Sequence, residues 1–364
     1  MALKLFMSCG PYDRAKALID GAVKPEGIEL EVYLNPDPGR HTEVNGREFD
    51  IAEFYSGLYI ADLHYKSLGY TAIPIFVKRM FRHSYIYINK RAGIRSPADL
   101  NGKRIGVQNW LTTTAVWARG LLEDEYGLDQ KSVNWFTERM RSVGEWKPPA
   151  WLKMELIPQG RTQFDLLAAG EIDAGITTET WAPKVHPDID FLFPNYAELE
   201  REYFKRTGFF PIMHTLLIKT SVLETNPWVA MSMFNAWEES KRKCYEWLEW
   251  QRVHQTSLWY RALWEEEQAV AGPDIYLWGF RKTRPEVDKL LDYCYRQGLT
   301  SANLRLRRCF TRARWKRDTK SLLTSLYKRE EPYVGSRVIF LKQALKFGSS
   351  PFEKRGTKGD LLEC

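Results

Sequence analysis

What most constrains this chain is an alternation of short apolar strands with helical stretches that runs, breaks and starts again. "LKLFMSC", "GIELEVYL" and "FDIAEFY" have strand patterning, and "YDRAKALIDGAV" between the first two has helical spacing. Strands that alternate with helices call for a mainly parallel sheet with helices on its faces, an α/β protein. At "TAIPIFVKRMFRHSYIYINK" two strands follow one another without a helix, and the alternation then restarts with "KRIGV", "TTTAVWARGLLEDEYGL", "MELIPQ", "TQFDLLAAG" and "IDAGIT". A restart means a second lobe. One further strand in "FPIMHTLLIKTSVL" and long helical segments after Pro227 imply a return to the first lobe. The expected organisation is residues 1–80 as the first part of lobe 1, 81–212 as lobe 2, 213–300 as the return to lobe 1, and 301–364 as a tail.

Length and composition fit this plan. A chain of 364 residues is too long for one small core and suits two lobes of ordinary size. No run approaches the ~18 apolar residues of a membrane span. The N-terminal "MALKLFMSCG" lacks the apolar core of a signal peptide, so a cytoplasmic protein is expected. The five cysteines form no CxxC pair, which argues against a zinc site and a disulfide framework, and Cys9 reads as a small packing residue. The net charge of +7 hints at nucleic acid until it is divided along the chain. Residues 301–364 hold sixteen Lys/Arg and six Asp/Glu out of 53 and 46, leaving −3 for the first 300 residues. The body is nearly neutral, and neither a nucleic-acid nor a membrane partner is expected for it.

"SPADLNGKRIGV", the Thr-rich helix start after it, and "DLLAAGEIDAGI" some sixty residues later resemble the type II periplasmic-binding-protein fold. That resemblance implies two α/β lobes joined by two crossing segments, with a ligand cleft between lobes. More narrowly, "CGPYDRAKALIDG", "PEGIELEV", "REFDIAEFYSGLYI", "AIPIFVKRMFRHSYIYIN", "AVWARGLLEDEYG" and "TGFFPIMHTLLI" resemble the 4,5-dihydroxyphthalate decarboxylase family from about residue 3 to about 300. "MFRHS" with "FPIMHT" is the specific part.

On that resemblance, residues 73–90 form the first crossing and 209–219 the second, which puts Arg82, His83 and His214 near one cleft floor. Ligands of open α/β sheets bind outside the carboxyl ends of strands, where Glu53, Tyr55, Ser56 and Thr112, Thr113 and Thr114 would fall. The threonine run at a helix N-terminus suits a carboxylate, although such a residue is also an ordinary helix cap. Arg161 and Thr162 of "GRT" join the substrate-binding set, with a surface ion pair as the alternative for Arg161. Either histidine alone could be a satisfied structural residue, and Glu53 could cap the next helix.

The family's reaction removes one carboxylate from a catechol dicarboxylate without an organic cofactor, so the substrate must be its own electron sink. Such a site needs a base, an acid over the ring face and groups that hold two carboxylates. His83, His214 and Glu53 are the candidates for acid and base, with Arg82 and Ser84 among the groups that bind substrate. If a divalent metal chelated the catechol, Glu53 and the two histidines would be its ligands, but no closely spaced motif supports one and no cofactor is expected. The rival function is a non-catalytic solute-binding protein of a transporter. A small aromatic carboxylate is the expected partner, and self-association into a homo-oligomer is compatible with the sequence. The tail departs from the family: "ANLRLRRCFTRARWKRDTK" begins where a polar ending is usual. It is expected to be poorly packed, either the product of a shifted reading frame or a basic arm.

Overall fold

The computed structural model describes residues 2–35, 43–44, 47–140, 143–178, 186–250 and 256–304. The expectations for the basic tail beyond residue 304 lie outside the described residues. Two sheets carry the fold.

The first sheet is built from β1 (Leu3–Cys9), β2 (Ile28–Leu34), β3 (Ile51–Tyr55), β4 (Tyr70–Arg79) and a late strand, β11 (Ile212–Lys219). Its order is β2-β1-β3-β11-β4. β1 runs parallel to β2 with Leu3 opposite Ile28, and parallel to β3 with Met7 opposite Ile51. β11 is antiparallel to both its neighbours. The second sheet contains β5 (Ile86–Asn89), β6 (Arg104–Val107), β7 (Asn134–Thr137), β8 (Met154–Leu156), β9 (Ala174–Ile176) and β10 (Ile189–Phe191), in the order β8-β7-β6-β9-β5-β10. Here β5, the first strand after the chain leaves the other sheet, is the one that lies antiparallel between two others. Each sheet therefore receives the first strand of an arriving segment as its antiparallel member. This is the α/β architecture of two sheets crossed twice by the chain that the restarted alternation predicts.

The chain changes sheets between Arg79 and Ile86 and returns between Phe191 and Ile212. Most of the stretch expected to be the second crossing, 209–219, is strand β11 instead. Its run Ile212–Ile218 is buried, as a strand paired on both edges and covered on both faces requires.

Besides a single turn at Lys16–Ile19 between β1 and β2, the α-helices of the described residues are α1 (Ser56–Tyr65), α2 (Thr113–Tyr126), α3 (Gln163–Ala169), α4 (Tyr196–Thr207), α5 (Thr220–Thr225), α6 (Val229–Trp250), α7 (Tyr260–Ala271) and α8 (Phe280–Arg296). α2 ends where Gly127 turns left-handed at φ 71°, a conformation a Cβ would strain. The α8 helix packs on α1 of the first lobe and on α2 of the second. Trp117 of α2 is fully buried and donates its indole N–H to the Ile212 carbonyl (2.8 Å), fastening α2 to the start of β11.

Candidate active site

Side chains alternate along a strand, so Glu53 and Tyr55 share one face of β3. In the antiparallel register of β11, His214 stands opposite Tyr55 and Leu216 opposite Glu53. Glu53 and His214 are thus diagonal neighbours, within reach of long side chains. His214 Nδ1 lies 2.5 Å from Glu53 Oε1, and the Tyr55 ring meets the imidazole edge-on with centroids 4.7 Å apart. On the other side of β3, strand β1 ends at Cys9. The Gly10 N–H donates to Glu53 Oε2 (2.9 Å) and the Tyr12 hydroxyl to Oε1 (2.6 Å).

A carboxylate with no exposed surface thus accepts three hydrogen bonds. Burial by itself would push the Glu53 carboxyl up. The hydrogen bond and charge of His214, with Tyr12 and Gly10, outweigh burial and hold the group below the ordinary carboxylate range. Its geometry is that of an anchor fixing which imidazole nitrogen bears the proton, rather than of an open base. Burial first, then the charge of Glu53, push the Tyr12 phenol and the Cys9 thiol up, so both keep their protons. Cys9 is accordingly no nucleophile. Tyr12 and the Gly10 N–H escaped the sequence reading because a turn residue gives no periodic signal; "GPY" directly after a strand was the available sign.

Directly after Tyr55 two helix N-termini, one from each lobe, come together. The N–H of Gly57 in the first turn of α1 donates to Thr113 Oγ1 (2.9 Å), and a Cβ on Gly57 would stand 2.8 Å from the Leu111 carbonyl oxygen. Each helix end contributes roughly half a positive charge. The threonine hydroxyls themselves are engaged within the protein: Thr112 donates to the Asn109 carbonyl (2.9 Å), Thr113 accepts from Gly57, and Thr114 reaches the Met213 sulfur (3.8 Å). What this corner offers an anion is the field and backbone N–H groups of the helix ends. Ser56 turns elsewhere. It lines an apolar void of about 20 Å³ shared with Ile212 and Leu290, and its buried hydroxyl has no hydrogen-bond partner among the described residues.

The "RHS" cluster is placed differently from expectation. His83 Nε2 meets the Tyr126 hydroxyl (3.1 Å) among the rings of Phe193 and Tyr203, with centroids 5.1 and 5.9 Å away. Tyr126 ends α2, whereas Thr114 beside Met213 begins it, so the two histidines are held toward opposite ends of that helix. They do not share a cleft floor. Burial, and after it the charges of Arg82 and Arg206, lower His83 to about 4, which leaves it uncharged at neutral pH. Arg82 is buried under the Tyr85 ring (4.5 Å) and donates from Nη2 to the Thr177 carbonyl (2.7 Å), while its Nε and Nη1 find no hydrogen-bond partner among the described residues. Burial lowers it to about 10, still charged. Ser84 gives its N–H and hydroxyl to Glu200 (3.0 and 2.8 Å).

Arg161 is exposed, and both arms of its fork bind Glu171 (2.9 and 2.7 Å). Thr162 caps α3, exchanging hydrogen bonds with Asp165. The metal ligand set of Glu53 with both histidines is not assembled, and among the described residues no group of three or more His, Cys, Asp or Glu stands where it could hold a metal ion.

No family model matches the chain. A 4,5-dihydroxyphthalate decarboxylase of Comamonas testosteroni is 33% identical over 318 residues, covering 83% of this chain and 94% of the relative. A second protein of that name, from Pseudomonas putida, is 33% identical over 200 residues, covering 52% of this chain and 77% of the relative. Among solved structures, a periplasmic sulfonate-binding protein SsuA of Methylobacillus flagellatus matches with a TM-score of 0.47 and 14% identity over 90% of this chain and 96% of its own. The alkanesulfonate-binding SsuA of Xanthomonas axonopodis matches at 0.46 and 13%, covering 86% and 98%.

Proposed function

Since the chain belongs to the 4,5-dihydroxyphthalate decarboxylase family, we propose that it is a carboxy-lyase that converts 4,5-dihydroxyphthalate to 3,4-dihydroxybenzoate and CO2 in the degradation of phthalate. The observation that carries the reading to residues is the buried Glu53–His214 pair next to two converging helix N-termini. A substrate carboxylate fits the positive field of those helix ends. Nδ1 of His214 is committed to Glu53, so proton exchange with the substrate runs through Nε2.

The chemistry follows from the substrate. Loss of the proton from the hydroxyl para to the departing carboxylate, taken up by water, pushes electron density onto the ipso carbon, which takes up a proton to give a dienone. The bond to the carboxylate then breaks, CO2 leaves, and the bonding pair flows through the ring to the dienone oxygen; the resulting phenolate takes a proton from water. We assign His214 to the proton that reaches the ipso carbon, Glu53 and Tyr12 to holding its imidazole, and Tyr55 to packing against it. We also propose a cytoplasmic location, compatible with the buried cysteines Cys9 and Cys244, which form no disulfide among the described residues.

The test is to incubate purified protein with 4,5-dihydroxyphthalate and measure CO2 and the catechol product. Turnover that His214→Ala abolishes, while the variant keeps its fold, is the expected result. Saturable binding of the dicarboxylate without any CO2 would overturn the reading in favour of a solute-binding protein.

A further inference from the structure

Beside the two crossings lies a cavity of about 510 Å³ that the proposed reaction does not use. Phe81 from the first crossing, Phe210 from the second, Phe204 of α4 and Trp264 of α7 contribute its aromatic walls. The Phe81 ring lies 4.9 Å from that of Phe210 and edge-on to that of Phe204 at 6.3 Å. Both arginines on the lining are already engaged. Arg201 pairs with Glu266 (2.6 Å), and Arg14 sits between the rings of Tyr12 and Tyr276, at 4.3 and 3.8 Å. Glu200 and Glu267 also line the space; among the described residues Glu267 is acted on by the charges of Glu266 and Arg201 without a salt bridge to Arg201.

We propose that this cavity is a second small-molecule site, selective for an organic cation with a compact aromatic body, with Glu267 as its counter-ion. The volume lies within the roughly 300–1,000 Å³ of ordinary ligand pockets. Aromatic faces attract a desolvated ammonium through the negative potential of the ring face, and a nearby carboxylate adds to that attraction. The same two glutamates repel a dicarboxylate, which separates this site from the helix-end corner beside His214. Arylalkylammonium compounds are the class that satisfies both walls and charge.

Benzyltrimethylammonium chloride is the probe, titrated calorimetrically into the full-length protein with tetramethylammonium chloride as an ionic-strength control. One saturable equivalent is expected, weakened about tenfold or more in Glu267→Gln, the size of effect that loss of a partly buried ion partner brings. Val270→Lys, which places an ammonium one turn along α7 on the same lining, should block the probe while leaving Glu267 in place. Turnover of 4,5-dihydroxyphthalate by Glu267→Gln should stay at the wild-type rate, so the outcome is independent of the decarboxylase reading. Absence of saturable heat at millimolar probe, or equal affinity in wild type, Glu267→Gln and Val270→Lys, would overturn the proposal.

Discussion

Glu53 and His83 are both buried and titratable, yet their surroundings fit them for opposite tasks. Glu53→Gln keeps the shape of the side chain but can present an N–H to Nδ1 and so select the other imidazole tautomer. We expect kcat to fall roughly 10²- to 10⁴-fold, the range of a positioned acid or base, with a much smaller change in KM. Steady-state CO2 release checks it. Because the folded state lowers the Glu53 pKa, its contribution to stability is complete above the ordinary carboxylate value and is lost as pH falls below it. His83 titrates in a higher window. It drops from 6.5 to about 4 on folding, so between those values the unfolded chain binds more protons and stability declines as pH falls. The decline attributable to it is at most roughly 3 kcal/mol. In His83→Phe, urea midpoints at pH 7 and pH 4.5 should differ less than in wild type, and turnover at pH 7 should stay within about tenfold. The sequence placed Glu53 and Tyr55 at a strand's carboxyl end and His214 in the motif "FPIMHT", and the register of β3 with β11 brings the three side chains together. The place of His83 was not legible, because a neighbour in sequence to a crossing can point to either side of it.

At the scale of elements, the meeting of α1 with α2 is what gives the corner its charge. The Gly57→Ala methyl would stand 2.8 Å from a backbone carbonyl and 3.2 Å from the Thr113 nitrogen, neither of which can swing aside. We expect a loss of about 1–3 kcal/mol in stability, as for overpacking elsewhere, and a rise in KM larger than the fall in kcat, since the helix ends move apart. Chemical denaturation and substrate kinetics on one preparation separate the two effects. The strands and the long helices were readable from period alone, as "KRIGV" becoming β6 and the Thr-rich run becoming α2 illustrate. The contact between α1 and α2 was not readable, because it depends on a glycine hydrogen and one threonine hydroxyl brought together from 56 residues apart.

Across the whole molecule, α8 acts as a strap over both lobes. Arg79, at the end of β4, reaches Glu286 of α8 with Nη1 2.5 Å from Oε2, both side chains being buried. Tyr293 and Arg296 of the same helix bind Asp124 of α2 (2.9 and 2.7 Å), and just beyond it Gln297 accepts from the buried Arg119 (2.9 Å). Glu286→Ala leaves the Arg79 charge buried without its counter-ion and should cost about 3–5 kcal/mol. The double replacement Arg79→Met with Glu286→Leu should recover most of that loss in urea unfolding, since burying two charges is itself expensive. Sequence gave no warning of this strap: the charge pattern of α8 reads as an ordinary solvated face until the fold shows what lies beneath it.

The position of β11 has a bearing on how the protein is made. Strands β3 and β4 end at residues 55 and 79, but the strand that belongs between them begins only at residue 212. At a synthesis rate of about 5–20 residues per second the two must wait on the order of ten seconds with unpaired edges, the state in which strands recruit wrong partners. Every strand of the second sheet lies within residues 86–191, so that lobe can close while the ribosome is still working toward β11. A nascent chain arrested before residue 212 should therefore carry a protease-resistant second lobe and an unfinished first one. Because His214 lies on β11 itself and Glu53 on the strand whose open edge β11 fills, the buried Glu53–His214 pair forms in a single late event, and the incomplete sheet stays exposed until then.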